Sequence, residues 1–343
     1  HVADNAKQVA HDIRSPLTTL QYVKSELGAV SIEIQTMFDA ALARVESIIN
    51  SLNSGAQEKH KDTTQAAESV MVLLEGVIQE KAHEHVARAS VATLDLQYDP
   101  TLVQYFVTLD GHKFKRIISN LLNNAFEACA HLTSPKIQIC ASYFSDRLIM
   151  QITDPGKGIP KVRLQELFRK GATFGKIGGS GLGLYDAKKF VESWGGEIEI
   201  ESTEGKGTCV TINLPTCLRA TMLTKELQIH NHMCVWLVDD DPSVYELLRH
   251  RLAQANIECE IKYMQSPESF SVEIESTQIV PGLVLIDYQF TNSSLNGLDL
   301  AKRYGKRLPF ILMTTYYNDH NVLSEAEGSH IRIYPKALLS RWA

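Results

Sequence analysis

Three short apolar runs in the last third of this 343-residue chain, at 235–238, 283–286 and 310–313, and a fourth, largely apolar stretch at 331–334, end on polar residues. The first runs into Asp239, Asp240 and Asp241. The second stops at Asp287, the third at Thr314, and the fourth near Lys336. A half-buried strand alternates apolar and polar positions; a strand apolar throughout is buried on both faces, as in a parallel sheet sandwiched by helices. A helical stretch over 242–255 gives this region the strand–helix rhythm of a doubly wound α/β fold, predicted over 233–343. In such sheets functional groups gather at the carboxyl ends of strands. Every polar residue just named sits there.

The rest of the chain has a different texture. Residues 1–57 read as two helices. Val9, Ile13, Leu17, Leu20, Val23 and Leu27 form one apolar stripe, and Ile34, Phe38, Ala41, Val45, Ile48 and Leu52 form another. A hairpin this small cannot bury both stripes alone, so a homodimeric four-helix bundle is expected. Residues 54–64 read as a polar linker. From 65 to 216 helices mix with paired strands: helical patterns over 113–131 and 185–194, strands at 136–141, 148–153, 196–202 and 208–214. That grouping predicts an α+β layered sandwich. Residues 217–232 read as a second connector, partly helical.

Composition narrows the classes of function. The formal net charge is −6, which argues against a nucleic-acid-binding surface, since phosphate contacts need clustered Lys and Arg. The six cysteines are scattered without C-x-x-C spacing, so free thiols are expected in a reducing cytoplasm. No apolar run approaches the roughly 18 residues that span a bilayer, so any membrane segment would precede residue 1. His83-x-His85 and His230-x-His232 lack further ligands at metal-binding spacing.

Several stretches carry chemistry. In His11-Asp12-Ile13-Arg14-Ser15-Pro16 an imidazole has a carboxylate beside it that can take its proton, and Pro16 kinks the helix. A lone helical His is usually no more than a surface or core residue. Asn120 and Asn124 share one helix face, and an amide oxygen suits Mg²⁺, which keeps its waters and accepts phosphate oxygens. Asp154-Pro155-Gly156-Lys157-Gly158-Ile159 follows a strand; such a run is by itself an ordinary tight turn. Gly178-Gly179-Ser180-Gly181-Leu182-Gly183-Leu184 opens a helix, where free N–H groups and the helix dipole favour anions. It is neither a Walker loop nor a Rossmann fingerprint.

Taken in order, these stretches resemble the boxes of sensor histidine kinases. The first is similar to the phosphoacceptor box H-[E/D]-x-R-[T/N/S]-P. It implies that His11 is phosphorylated with help from Asp12, while Ser15 stands where the family orients water for dephosphorylation. Asn120 and Asn124 match the N box and imply Mg²⁺ at Asn124. Asp154, Gly156 and Gly158 match the glycine box that sets a carboxylate against the adenine amino group; Pro155 replaces the usual Asn. Phe168 and Lys170, then Gly179, Gly181, Leu182 and Gly183, match the later boxes, with 160–180 as the ATP lid. Thr208 sits in the family's G-x-G-T turn. Hsp90-type and mismatch-repair ATPases share the nucleotide boxes but lack the His11 hairpin.

Residues 233–343 resemble a response-regulator receiver. The resemblance implies Asp239 and Asp240 with Asp287 around Mg²⁺, Asp287 as phosphoacceptor, Thr314 on the phosphoryl group and Lys336 paired with it. Three clustered carboxylates repel until a divalent cation neutralises them. Ala337 follows the Lys where the family has Pro, Ile333 replaces the usual aromatic switch residue, and the last helix is short. Tyr316 and Tyr317 are expected on the surface. Together the resemblances imply a hybrid kinase core: helical hairpin, GHKL-type α/β ATPase and flavodoxin-like receiver. ATP and Mg²⁺ are its cofactors, and a response regulator or phosphotransfer protein is its partner. A regulator whose receiver docks on and inhibits the kinase core is the alternative.

Overall fold

A computed structural model describes residues 65–87, 92–164, 166–167, 183–291 and 293–341. The predicted hairpin over 1–57 lies outside them. Two compact units divide the described chain at Ala220 and Thr221. No helix among the described residues is long and apolar enough to cross a membrane.

The first unit opens with β1 (Ala66–Ser69), α1 (Val70–Ala87), β2 (Thr93–Gln97) and β3 (Tyr105–Leu109), the last preceded by a 3-10 turn at Pro100–Gln104. Next come α2 (Gly111–Ala128), β4 (Lys136–Phe144), β5 (Arg147–Asp154), the single turn α3 (Lys161–Leu164) and α4 (Gly183–Ser193). It closes with β6 (Glu197–Thr203), β7 (Gly207–Pro215) and β8 (Leu218–Arg219). Five strands form a mixed sheet in the order β2-β4-β5-β7-β6, antiparallel except for β2 with β4. β1, β3 and β8 form a small second sheet.

Why these elements form is visible in the residues. Along β5, Leu148, Met150 and Ile152 point inward and alternate with more open neighbours, as a sheet with one covered face requires. Helix α2 presents Phe114, Ile117, Ile118, Leu121, Leu122, Ala125 and Phe126 to that core. Each such side chain contributes about 1.5–3 kcal/mol on full burial. Asp110 caps α2 by accepting from the N–H groups of His112 and Lys113, each at 3.1 Å. The β4–β5 hairpin runs further than the alternation predicts. Ser145 and Asp146 both adopt positive φ (50° and 58°), the two-residue turn whose twist suits a hairpin. That turn carries the ladder out to Phe144, beyond the core.

The second unit alternates strand and helix. It comprises β9 (Cys234–Val238), α5 (Pro242–Gln254), β10 (Glu260–Met264), α6 (Pro267–Ser276), β11 (Leu283–Asp287), α7 (Gly297–Tyr304), β12 (Phe310–Thr314), α8 (His320–Gly328) and β13 (Arg332–Pro335). Every pairing is parallel, and the order is β10-β9-β11-β12-β13. β11 and β12 are buried at all positions. Each helix start has a side-chain cap: Asp241, Ser266, Asn296 and Asp319. β10 is a strand that the apolar pattern does not announce. It lies at the sheet edge, where Glu260 and Lys262 are tolerated and discourage further pairing.

Two expectations are corrected here. Tyr317 is buried, not on the surface, whereas Tyr316 is partly exposed. The segment 217–232 contains no helix. Leu218–Arg219 pairs with β3 in the first unit. From Thr221 onward the chain lies along β13: Thr224 N–H donates to Ile333 O, and Ile333 N–H donates to Met222 O, both at 2.9 Å. Leu223, Leu227 and Ile229 are buried. The short last helix is a 3-10 segment, Lys336–Arg341.

Candidate active sites

The first site lies where β5 ends. Asp154 closes that strand, and its Oδ1 accepts a hydrogen bond from Gly156 N–H at 2.9 Å. The residue is only 7% exposed, so burial pushes its carboxyl above the usual carboxylate range, opposed by backbone hydrogen bonds from Gly156 and Thr208. The two glycines beyond it are required by space. A Cβ on Gly156 would sit 2.6 Å from the backbone of Ala128, at the end of α2. A Cβ on Gly158 would collide with the carbonyl of Thr203, and its φ of +64° disfavours any side chain. Gly207 has φ +111°, and a Cβ there would strike the Asp154 carbonyl.

A hydroxyl pair fastens this turn to the β6–β7 hairpin. Ile159 N–H donates to Ser202 Oγ at 2.8 Å, and Ser202 Oγ lies 2.9 Å from Thr208 Oγ1. Thr208 was expected from sequence; Ser202 was not, since nothing in its spacing distinguishes it from any polar residue at a strand end. Asn120 and Asn124 lie half-buried on α2, whose last residue, Ala128, accepts from Lys157 N–H at 3.1 Å. Gly183 begins α4. Phe168, Lys170, Gly179, Gly181 and Leu182 lie outside the described residues, as do His11, Asp12 and Ser15.

These residues fit a nucleotide. The buried Asp154 carboxylate suits an amino-group donor, the glycines leave a cradle a Cβ would fill, and the α4 N-terminus suits phosphate. Asn124 would hold the Mg²⁺ that travels with ATP, with Asn120 beside it.

The second site stands at the carboxyl ends of the parallel strands. Asp239 follows β9, Asp287 ends β11, Thr314 ends β12 and Lys336 follows β13. All four are buried. Lys336 Nζ bridges the two carboxylates, 2.9 Å from Asp239 Oδ2 and 2.7 Å from Asp287 Oδ2. Burial is the largest cause raising both carboxyls, with the ammonium opposing it; the same carboxylates hold the ammonium protonated. Asp239 Oδ1 accepts from Asp241 N–H at 3.1 Å, and Asp287 Oδ1 accepts from Tyr288 N–H at 2.7 Å. Thr314 Oγ1 accepts from Tyr316 N–H at 3.0 Å. Gly297 lies so close that a Cβ there would meet the Asp287 carbonyl.

Asp239, Asp240 and Asp287 each offer an oxygen, and these atoms lie within 4.8 Å of one another. Three carboxylates against one ammonium leave excess negative charge. An all-oxygen donor set of that charge fits a hard divalent cation. Such an ion would neutralise charge on a transferring phosphoryl group. What the chain itself supplies is a carboxylate oriented by Tyr288 N–H, a buried hydroxyl and a fixed ammonium.

Comparison with known proteins agrees with the first site. Residues 109–217 match the family model "Histidine kinase-, DNA gyrase B-, and HSP90-like ATPase". The chain is 24% identical over 261 residues to the sensor protein EvgS of Escherichia coli K12, covering 71% of this chain and 22% of that protein. It is 29% identical over 226 residues to sporulation kinase B of Bacillus subtilis, covering 63% and 50%. The solved mycobacterial sensor histidine kinase MprB aligns with 45% of this chain and 99% of its own, at 20% identity and a TM-score of 0.39. The chain thus spans a half or less of the two curated relatives' lengths. Residues 109–217 thus match the histidine kinase-, DNA gyrase B- and HSP90-like ATPase family, and the chain is similar to sensor histidine kinases.

Proposed function

We propose that this chain is the core of a hybrid sensor histidine kinase, which phosphorylates His11 from ATP and passes the phosphoryl group to an aspartate. The observation that carries the reading is the presence, in one chain, of the Asp154 cradle and the buried Asp239–Lys336–Asp287 pocket. The first suits ATP. The second suits a receiver, with Asp287 as acceptor, Thr314 and Lys336 on the phosphoryl oxygens, and Mg²⁺ among Asp239, Asp240 and Asp287.

The chemistry balances in two steps. His11 attacks the γ-phosphorus; a nitrogen–phosphorus bond forms, the bond to the β-phosphate oxygen breaks, ADP leaves, and Asp12 takes the imidazole proton. Then an Asp287 oxygen, or an aspartate of a separate response regulator, attacks the same phosphorus. The nitrogen–phosphorus bond breaks and the imidazole regains a proton. Lys336 stabilises the charge on the phosphoryl group, since positioning and electrostatics dominate such transfers. Ser15 orients the water that attacks an aspartyl phosphate in the phosphatase reaction, in which the carboxyl oxygen–phosphorus bond breaks and inorganic phosphate leaves. The working unit is a homodimer through residues 1–57, in the cytoplasm. Nucleic acid is not its partner.

Incubation with γ-labelled ATP tests this. Acid-labile label is expected and is lost in His11→Gln. Label on His11 that accumulates in Asp287→Asn supports internal transfer; unchanged label points to a separate regulator. Label that survives His11→Gln overturns the reading, as does its complete absence from the unaltered chain. In the second case, a receiver that only docks and inhibits becomes the better account.

A further inference from the structure

Asp240 differs from its two neighbours in how it is held. Asp239 and Asp287 are clamped by Lys336 and by backbone N–H groups close by in sequence. Asp240 is held from 51 residues away. Its Oδ2 accepts from Thr291 N–H at 2.8 Å and from Thr291 Oγ1–H at 2.6 Å. Thr291 lies four residues beyond Asp287, in the loop leading to α7. That loop is tied down again by Ser293, whose hydroxyl donates to Glu268 Oε1 at 2.7 Å, and by Gly297 N–H, which donates to Tyr288 O at 3.0 Å.

We infer that Thr291 is a positioning residue for the cation site: its two donors fix Asp240 Oδ2, leaving Oδ1 to serve the divalent ion. The inference rests on the reading of Asp239, Asp240 and Asp287 as that site. A partly exposed carboxylate on a rotatable side chain samples several rotamers, and ordering it costs entropy when an ion binds. Two donors converging on one oxygen set the plane of the carboxylate in advance. Oδ1 has no hydrogen-bond partner among the described residues, so it is available to an ion. Partners that orient a ligating carboxylate are worth about 10–100-fold in metal affinity. The same bonds join the strand-end ligand of β9 to the loop that begins at Asp287. Thr291 therefore aligns the ion with the acceptor without touching either.

Mn²⁺ binding to the nucleotide-free full chain, followed by loss of the free-ion electron paramagnetic resonance signal and competed with Mg²⁺, provides the test. Asp239→Asn identifies the part of the binding that belongs to this site. Thr291→Val keeps the shape and the N–H but removes the hydroxyl, and is expected to weaken that part about tenfold. Thr291→Ser restores the donor and is expected to stay within about twofold of the unaltered chain. Circular dichroism and thermal unfolding without metal check that the variants fold alike. Binding that depends on Asp239 but is equal in Thr291→Val overturns this inference alone. Binding that does not depend on Asp239 overturns the cation-site reading, and this inference with it. A Ser variant as weak as Val also overturns it, because the hydroxyl is then not the cause.

Discussion

The two described units build their sites by opposite means. In the first, the site exists because side chains are missing: Gly156, Gly158 and Gly207 bring backbone segments together where any Cβ would collide. In the second, the site exists because charged side chains are present where charge is costly: Asp239, Asp287 and Lys336 lie under the surface of a fully covered parallel sheet. The difference follows from the sheets. A mixed sheet covered on one face can leave a turn such as 154–159 open to a ligand, shaped by backbone. A sheet buried on both faces exposes chemistry only at its strand ends, where a buried ion pair sets orientation more than stability. One site is therefore sensitive to added bulk, the other to altered charge.

The largest effect expected from that contrast comes from Lys336→Met. It leaves two carboxylates facing each other in the second unit and should cost about 3–5 kcal/mol, read from urea unfolding followed by Trp236 fluorescence. A cost near zero would show that water reaches the pocket and would break the comparison. Next is Leu223→Ala. Leu223 is buried at the Ile333 bridge, in a segment that reads as a connector. A loss of about 2–4 kcal/mol in the same assay places residues 221–229 within the second unit's fold; no loss makes them an ordinary linker.

Gly158→Ala should cost about 1–3 kcal/mol from positive φ, and more if Thr203 cannot give way. Calorimetric titration with ATP is expected to show its affinity falling much further than the stability. A variant that binds normally would deny that backbone approach shapes the first site.

The smallest effect is a pH dependence. Burial raises the Asp154 carboxyl, so the folded chain holds that proton more tightly than the unfolded one. The resulting stability is full below the ordinary value of 3.8 and is lost as pH rises through the folded value. On the proposed reading, in which the carboxylate accepts from the adenine amino group, ATP affinity runs the other way and falls as pH drops through that window. Thermal scans and ATP titrations across that window measure both slopes, and Asp154→Asn should flatten both.

Much of the second unit was legible in sequence. Three uniformly apolar runs and the largely apolar 331–334, which Arg332 interrupts, announced four strands, and the polar residues at their ends named Asp239, Asp287, Thr314 and Lys336. β10 was hidden because an edge strand keeps charged residues, so its pattern resembles a loop. Tyr317 was misplaced because a turn sequence says nothing of what later packs over it. In the first unit, alternation located the four strands from 136 to 215 within a few residues of their ends. It could not see Ser202, whose role depends on meeting Thr208 across a hairpin and Ile159 across a turn.

By itself, the sequence determined which residue types stand at the ends of which elements, because the two-residue and 3.6-residue periods are properties of the local chain. Tertiary structure alone decided which of those ends meet. Strand order placed β9 between β10 and β11, and so set Asp240 against Thr291 and Lys336 between two aspartates. No local period records a contact across 51 residues. It arises only when burying the apolar faces of the strands forces their ends into register.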